Sequence, residues 1–316
     1  MVPPSVPLRI AVVQFCPKIG QIQANIKRAK ELCRKIEPRS VDLVCFPEMV
    51  FSGYVFENAK AIKPYLEPHR TGPTSQFCSE LAKRLGCYVF AGYPERLEGD
   101  EISATPEEQE ESGQTGTGGP VGANSAVLCG PNGEWVGNYR KTHLFEVDET
   151  WAKAGSGFKT FDLPSPLGRV SIGICMDLNV QPPHTWTSLD GPYELATYTQ
   201  SQDSKILILL NAWLDSGKDG EEESDWATLN FWAMRLRPLW ASESESDASD
   251  ATHSTHANGG EKQTIVVVCN RTGEENGRTF AGSSTIFSMC QGSGRPRVLD
   301  MMGRRQEEVR MWTTAT

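Results

Sequence analysis

Residues 168–179 read G-R-V-S-I-G-I-C-M-D-L-N. A short apolar run at 170–174 breaks off at Cys175 and turns polar at Asp177. Such a run predicts a buried strand that delivers one side chain to its rim. A thiol held there serves as a nucleophile if a neighbour lowers its pKa or takes its proton. An isolated Cys is more often a buried structural thiol. Two other stretches change that reading: F-P-E at 46–48 and Y-R-K-T-H-L-F at 139–145.

Both of them also finish strands. Residues 41–46, V-D-L-V-C-F, form a strand that stops at Pro47, which cannot continue a central ladder. Glu48 therefore sits just past a strand end, where open α/β sheets carry their chemistry. Strands at 124–129 and 134–139 flank G-P-N-G at 130–133, a hairpin signal, and the second of them runs out at Arg140-Lys141. Only folding could unite Glu48, Lys141 and Cys175. Together they make a toolkit for acyl transfer. Cys attacks a carbonyl carbon and forms an acyl-thioester. Glu takes the thiol proton, protonates the departing amine and then activates water, which calls for a pKa raised by burial. Lys supplies positive charge to the oxyanion, with the backbone N–H of Met176 as a second donor. Singly, Glu48 would pass for a turn acid and Lys141 for a solvated partner of Arg140.

The remaining chain supplies a scaffold. A strand is expected at 8–14. An amphipathic helix follows at 21–36, with Ile22, Ile26, Ala29, Leu32, Cys33 and Ile36 on its apolar side. A second helix at 73–85 has Pro at its start and Gly86 at its end. Further strands are expected at 87–91, 158–163, 205–210, 264–269 and 283–288, with an edge strand at 309–312. Helices are expected at 192–200 and 226–236. About ten strands with four helices, in this order, suggest an α/β protein of two sheets packed face to face with helices outside each. No internal repeat interrupts it, so one domain is expected over 8–312.

The chain has 316 residues and a net charge of −9, and the acid is concentrated. Residues 97–114, 213–226 and 242–250 hold 17 of the 40 acids and one of the 31 bases. Low-complexity insertions are therefore expected near 97–122, 214–225 and 240–262, as solvated, mobile loops. No basic tail or aromatic-interleaved basic stripe asks for nucleic acid. No apolar run approaches a membrane span, and no charged n-region precedes a long apolar stretch. Nine Cys without a C-x-x-C argue against a disulfide framework or zinc cage and for a reducing compartment. A cytoplasmic protein with no cofactor and no metal is expected. His253 and His256 lack further ligands.

F-P-E-M-V-F-S-G-Y, Y-R-K-T-H-L-F and G-I-C-M-D-L-N resemble the three signature blocks of the nitrilase (carbon–nitrogen hydrolase) superfamily. The resemblance runs from about Leu8 to Ser288 and includes V-V-C-N-R-T-G at 267–273 and F-A-G-S-S at 280–284. It implies an αββα sandwich and a Glu–Lys–Cys triad: Glu48 as general base, Lys141 as oxyanion stabiliser, Cys175 as nucleophile. Many members carry a second, supporting Glu eight residues after the Lys, a position held here by Glu149. Met176-Asp177 after the nucleophile is an amidase-like ending. The longer matches resemble the amidases that act on protein N-termini. That implies conversion of N-terminal Asn or Gln to Asp or Glu with release of ammonia, feeding an N-degron pathway.

A pocket for such a substrate needs an acceptor for the α-ammonium, and Asp148 and Asp177 are the candidates. Asp177 reads equally as a cap after the turn. Tyr54 and Trp213 are candidate pocket walls, though both would also serve as core. His143 reads as packing or hydrogen bonding near the site rather than as a base. Three readings stay open besides the first: an ω-amidase, a carbamoylase, and a non-catalytic scaffold. A homodimer is an allowed assembly.

Overall fold

Along strand β1 (Pro7–Gln14), Leu8, Ile10 and Val12 face one way, Ala11 and Val13 face the other, and all five are buried. A strand apolar on both faces needs cover on both. The computed structural model, which describes residues 6–101, 119–218, 220–241 and 262–315, shows how each face is covered.

Two six-stranded mixed sheets stack face to face. The first has β14 (Glu308–Ala315), β1, β2 (Leu43–Cys45), β3 (Tyr88–Arg96), β4 (Gly122–Cys129) and β5 (Trp135–Arg140), in that spatial order. The second has β13 (Arg297–Met301), β12 (Thr285–Cys290), β9 (Gln263–Asn270), β8 (Ile206–Asn211), β7 (Arg169–Ile174) and β6 (Lys159–Asp162). The β1–β2–β3 and β7–β8–β9 pairings are parallel and the rest antiparallel. Between the sheets, Leu8, Ile10 and Val12 join one cluster with Ile206, Ile208, Leu210 and Val267.

Helices α1 (Ile22–Cys33), α2 (Ala59–Ile62), α3 (Pro73–Leu85), α4 (Glu146–Glu149), α5 (Glu194–Ser201) and α6 (Trp226–Arg235) complete the chain order. Ala29 and Cys33 of α1, with Phe77 and Leu81 of α3, cover the outside of the first sheet. Leu195 of α5, with Leu229 and Trp232 of α6, covers Leu207, Leu209 and Val268 on the outside of the second. The architecture is the expected αββα sandwich.

Some local expectations change. Strand β3 runs on past Ala91 to Arg96, through Gly92 and Pro94. The glycine is there for proximity: a Cβ on Gly92 would lie 2.5 Å from Glu48 Cα. A hairpin of β10 (Thr272–Glu275) and β11 (Arg278–Ala281) went unpredicted. Its turn, Asn276-Gly277, has both φ values positive, as a two-residue hairpin turn requires. Strand β13 was also unpredicted. The segment 214–225, expected as a solvated insertion, is anchored at both ends. Leu214 bridges to Phe280, Asp215 pairs with Arg304, and buried Asp225 caps α6 by accepting from Thr228 N. The expected insertions at 97–122 and 240–262 lie largely outside the described residues. His253 and His256 lie outside them too.

Candidate active site

Three strand ends meet at one edge of the sandwich. Glu48 follows β2. The chain there is held against β3 by bonds from Phe46 N to Phe90 O (2.9 Å) and from Gly92 N to Pro47 O (3.1 Å). Lys141 follows β5, with its own N–H on Asn124 O of β4 (2.8 Å). Cys175 follows β7 and opens a single 3₁₀ turn, Cys175–Leu178. Its φ is +44°, in the left-handed region, which costs a non-glycine residue on the order of 1 kcal/mol or more. Asn211 at the end of β8 holds that conformation by accepting the Cys175 N–H on its Oδ1 (3.1 Å).

The side chains interlock. Lys141 Nζ donates to Glu48 Oε1 (2.7 Å) and to Asp148 Oδ2 (2.6 Å). Asn124 Nδ2 donates to Glu48 Oε1 (2.7 Å) and to Asp148 Oδ1 (3.0 Å). Ala212 N donates to Glu48 Oε2 (2.7 Å). Tyr54 donates its hydroxyl to Asp148 Oδ2 (3.3 Å), and its ring centre lies 5.6 Å from Lys141 Nζ. Glu48, Lys141, Asp148 and Asn124 are fully buried.

Burial sets the proton affinities. It raises the Glu48 carboxyl, helped by the Asp148 charge and opposed by Lys141. It works against the Lys141 ammonium, but Asp148 and Glu48 outweigh it and hold the lysine pKa well above the ordinary value. Burial and the Glu48 charge push the Cys175 thiol well up. The resting group is therefore a thiol that needs a base at the moment of attack. Two of the three Lys141 hydrogens face carboxylates, leaving one for a substrate oxygen.

Glu48, Lys141, Cys175, Asp148 and Tyr54 thus come together, and Met176 supplies the next backbone N–H in the turn. Glu149 does not join them. It is exposed on α4, while Asp148, one residue earlier, points inward and contacts Lys141. The carboxylate that contacts Lys141 from this helix is Asp148, in place of the expected Glu149. Asp148 is accordingly no free acceptor for an ammonium, and neither is Asp177. The Asp177 carboxylate accepts from Ile174 N, Thr142 N, His143 N and the Tyr139 hydroxyl, tying the nucleophile turn to the segment after β5. Trp213 is half-buried with its ring against Phe231 and Trp232 (centroids 5.5 and 5.9 Å). His143 Nδ1 lies 3.1 Å from Asn179 O, and the imidazole is paired with no member of the cluster.

Asn124, Asn211 and the Ala212 N–H were not anticipated. An Asn inside the buried β4 run was the available signal, since a buried amide needs partners. Among the described residues, no group of three His, Cys, Asp or Glu side chains is placed to hold a metal. A groove of about 880 Å³ lined by Arg70, Trp135, Arg140 and Lys153 includes none of the three strand-end groups.

Residues 9–192 match the family model described as carbon–nitrogen hydrolase. The chain is 31% identical over 302 residues to a protein N-terminal amidase of Schizosaccharomyces pombe, covering 90% of this chain and 92% of that protein. It is 28% identical over 232 residues to the protein N-terminal amidase of Saccharomyces cerevisiae, covering 67% of this chain and 46% of that protein. A crystal structure of N-terminal amidase with an Asn-Glu-Ala peptide matches at a TM-score of 0.77 and 20% identity, over 98% of both chains, which is a likeness of fold.

Proposed function

The chain belongs to the carbon–nitrogen hydrolase family, and from that premise we propose that it removes the side-chain amide of N-terminal Asn or Gln from proteins, giving Asp or Glu and ammonia. The observation that carries this reading is the buried Glu48–Lys141–Asp148 array set against Cys175 in its left-handed turn. The substrate class rests on the near full-length similarity to an N-terminal amidase.

Cys175 Sγ attacks the side-chain amide carbon while Glu48 takes the thiol proton. The amide oxygen becomes an oxyanion, met by the free hydrogen of Lys141 and the Met176 N–H. Glu48 returns the proton to the leaving nitrogen, and ammonia departs from an acyl-thioester. Glu48 then deprotonates a water that attacks the thioester, and the returned proton restores the thiol. Asp148 keeps Lys141 charged and in place throughout.

Ammonia release from two matched peptides tests the proposal, one beginning with a free Asn and one with the same Asn N-acetylated. Release from the free-amine peptide alone is the expected result. Turnover of small free amides but neither peptide would move the enzyme to the metabolic amidases. Release from both peptides would remove the requirement for an α-ammonium.

A further inference from the structure

Glu48 has two oxygens, and the mechanism uses one of them as the base. Their surroundings differ. Oε1 receives two charged or polar donors, Lys141 Nζ and Asn124 Nδ2, both at 2.7 Å. A carboxylate oxygen offers about two lone pairs, so Oε1 is filled. Oε2 receives a single backbone N–H, from Ala212. Oε2 is therefore the oxygen left with an open lone pair.

Asn124 creates this asymmetry. Its Nδ2 spans both carboxylates of the cluster, at 2.7 Å to Glu48 Oε1 and 3.0 Å to Asp148 Oδ1. Its Oδ1 is buried and has no hydrogen-bond partner among the described residues. A flipped amide would bring that oxygen against two carboxylate oxygens, so the orientation is unambiguous. A buried carbonyl left without a donor costs free energy. The fold carries that cost in order to aim both N–H bonds at the acids.

We propose that Asn124 is a positioning residue that fills Glu48 Oε1 and so reserves Oε2 as the oxygen that takes the Cys175 proton. The inference rests on Glu48 being the base. Without Asn124, Oε1 keeps an open lone pair beside Lys141. A proton bound there does no work in the reaction. The bond also favours the ionised carboxylate, so its loss raises the Glu48 pKa further.

The test is the pH profile of kcat/KM for an Asn-peptide with Asn124→Ala and Asn124→Leu. Alanine removes the amide, and leucine removes it while filling the space. The acid limb should move upward by about one pH unit, so that kcat/KM below the limb falls about tenfold. KM should change less than about threefold, because both Asn124 N–H bonds are spent on Glu48 and Asp148. A folded variant whose acid limb stays at the wild-type position overturns the proposal. So does failure of both variants to fold, which would assign Asn124 to stability alone. Glu48→Gln separates this from the underlying reading. If that variant keeps wild-type turnover, Glu48 is not the base at all. If it is inert while the Asn124 variants keep the wild-type limb, only the role of Asn124 falls.

Discussion

Glu149 and Asp148 are neighbours in sequence, yet one is exposed and the other lies buried against Lys141. Mutation separates their roles. Asp148→Asn should lose turnover by about two orders of magnitude, because Lys141 loses a charged partner, while Glu149→Gln should stay within about twofold. Steady-state kinetics of the two variants decide it, and the opposite ranking would restore Glu149. Cys175→Ala and Glu48→Gln should abolish ammonia release while the thermal transition stays cooperative. Lys141→Ala should cost about 2.7–4 kcal/mol in transition-state stabilisation, as removal of one oxyanion donor does. The rate should also carry the mark of a buried base. Burial raises the Glu48 carboxyl, and the base must be ionised to act, so activity rises with pH through that raised pKa. The acid limb of kcat/KM should lie above the ordinary glutamate value of about 4.3. Glu48, Lys141 and Cys175 could be singled out as candidates because each follows the end of an expected strand. Asn124 and Asp148 were not legible in their roles, because their value depends on partners distant in sequence.

Helix α3 begins over a buried acid. Glu67 accepts from Thr74 N and from the Thr74 hydroxyl, both at 2.8 Å, and burial lifts its pKa to about 7. The folded state therefore holds this proton more tightly than the unfolded chain does. Its contribution to stability is complete below about pH 4.5 and is lost as the pH rises through 7, a swing of about 3 kcal/mol. Denaturation midpoints of wild type should fall across that window, and Glu67→Gln should flatten the curve. A wild-type curve equally flat would remove Glu67 from the account. Helix α6 acts on the site from outside. Arg235 donates to Leu178 O (3.1 Å), Asp190 O (2.6 Å) and Pro192 O (2.6 Å), clasping both ends of the segment that follows the nucleophile turn. The helices at 73–85 and 226–235 were readable from apolar periodicity and terminal residues. The β10–β11 hairpin carried an Asn-Gly signal but lacked an alternating apolar run beside it. Its strands matter through side chains. Buried Glu275, paired with Arg271, accepts the Tyr54 and Val55 N–H groups and so holds the turn that carries Tyr54.

The two ends of the described chain close the first sheet. Strand β14 pairs with β1 from Pro7↔Ala315 to Gln14↔Glu308, antiparallel over the whole length of β1. A chain ending at residue 306 would leave β1 as an unprotected edge. Its Tm should fall by on the order of 10 °C and its solubility should drop, as thermal scans and sedimentation would show. An unchanged Tm would make β14 an ornament of the sheet. The sequence by itself determined the layers, because period-two strands apolar on both faces and one-sided helices have few ways to bury themselves. It also offered the three candidate groups, since each follows a strand end, while their meeting at one rim was left to the fold. Only the tertiary structure decided which carboxylate supports Lys141, which amide spans the two acids, and that Asp177 is taken up by four protein donors. Those choices depend on hydrogen-bond geometry between side chains far apart in sequence, good to a few tenths of an ångström, and no local pattern encodes a distance of that kind.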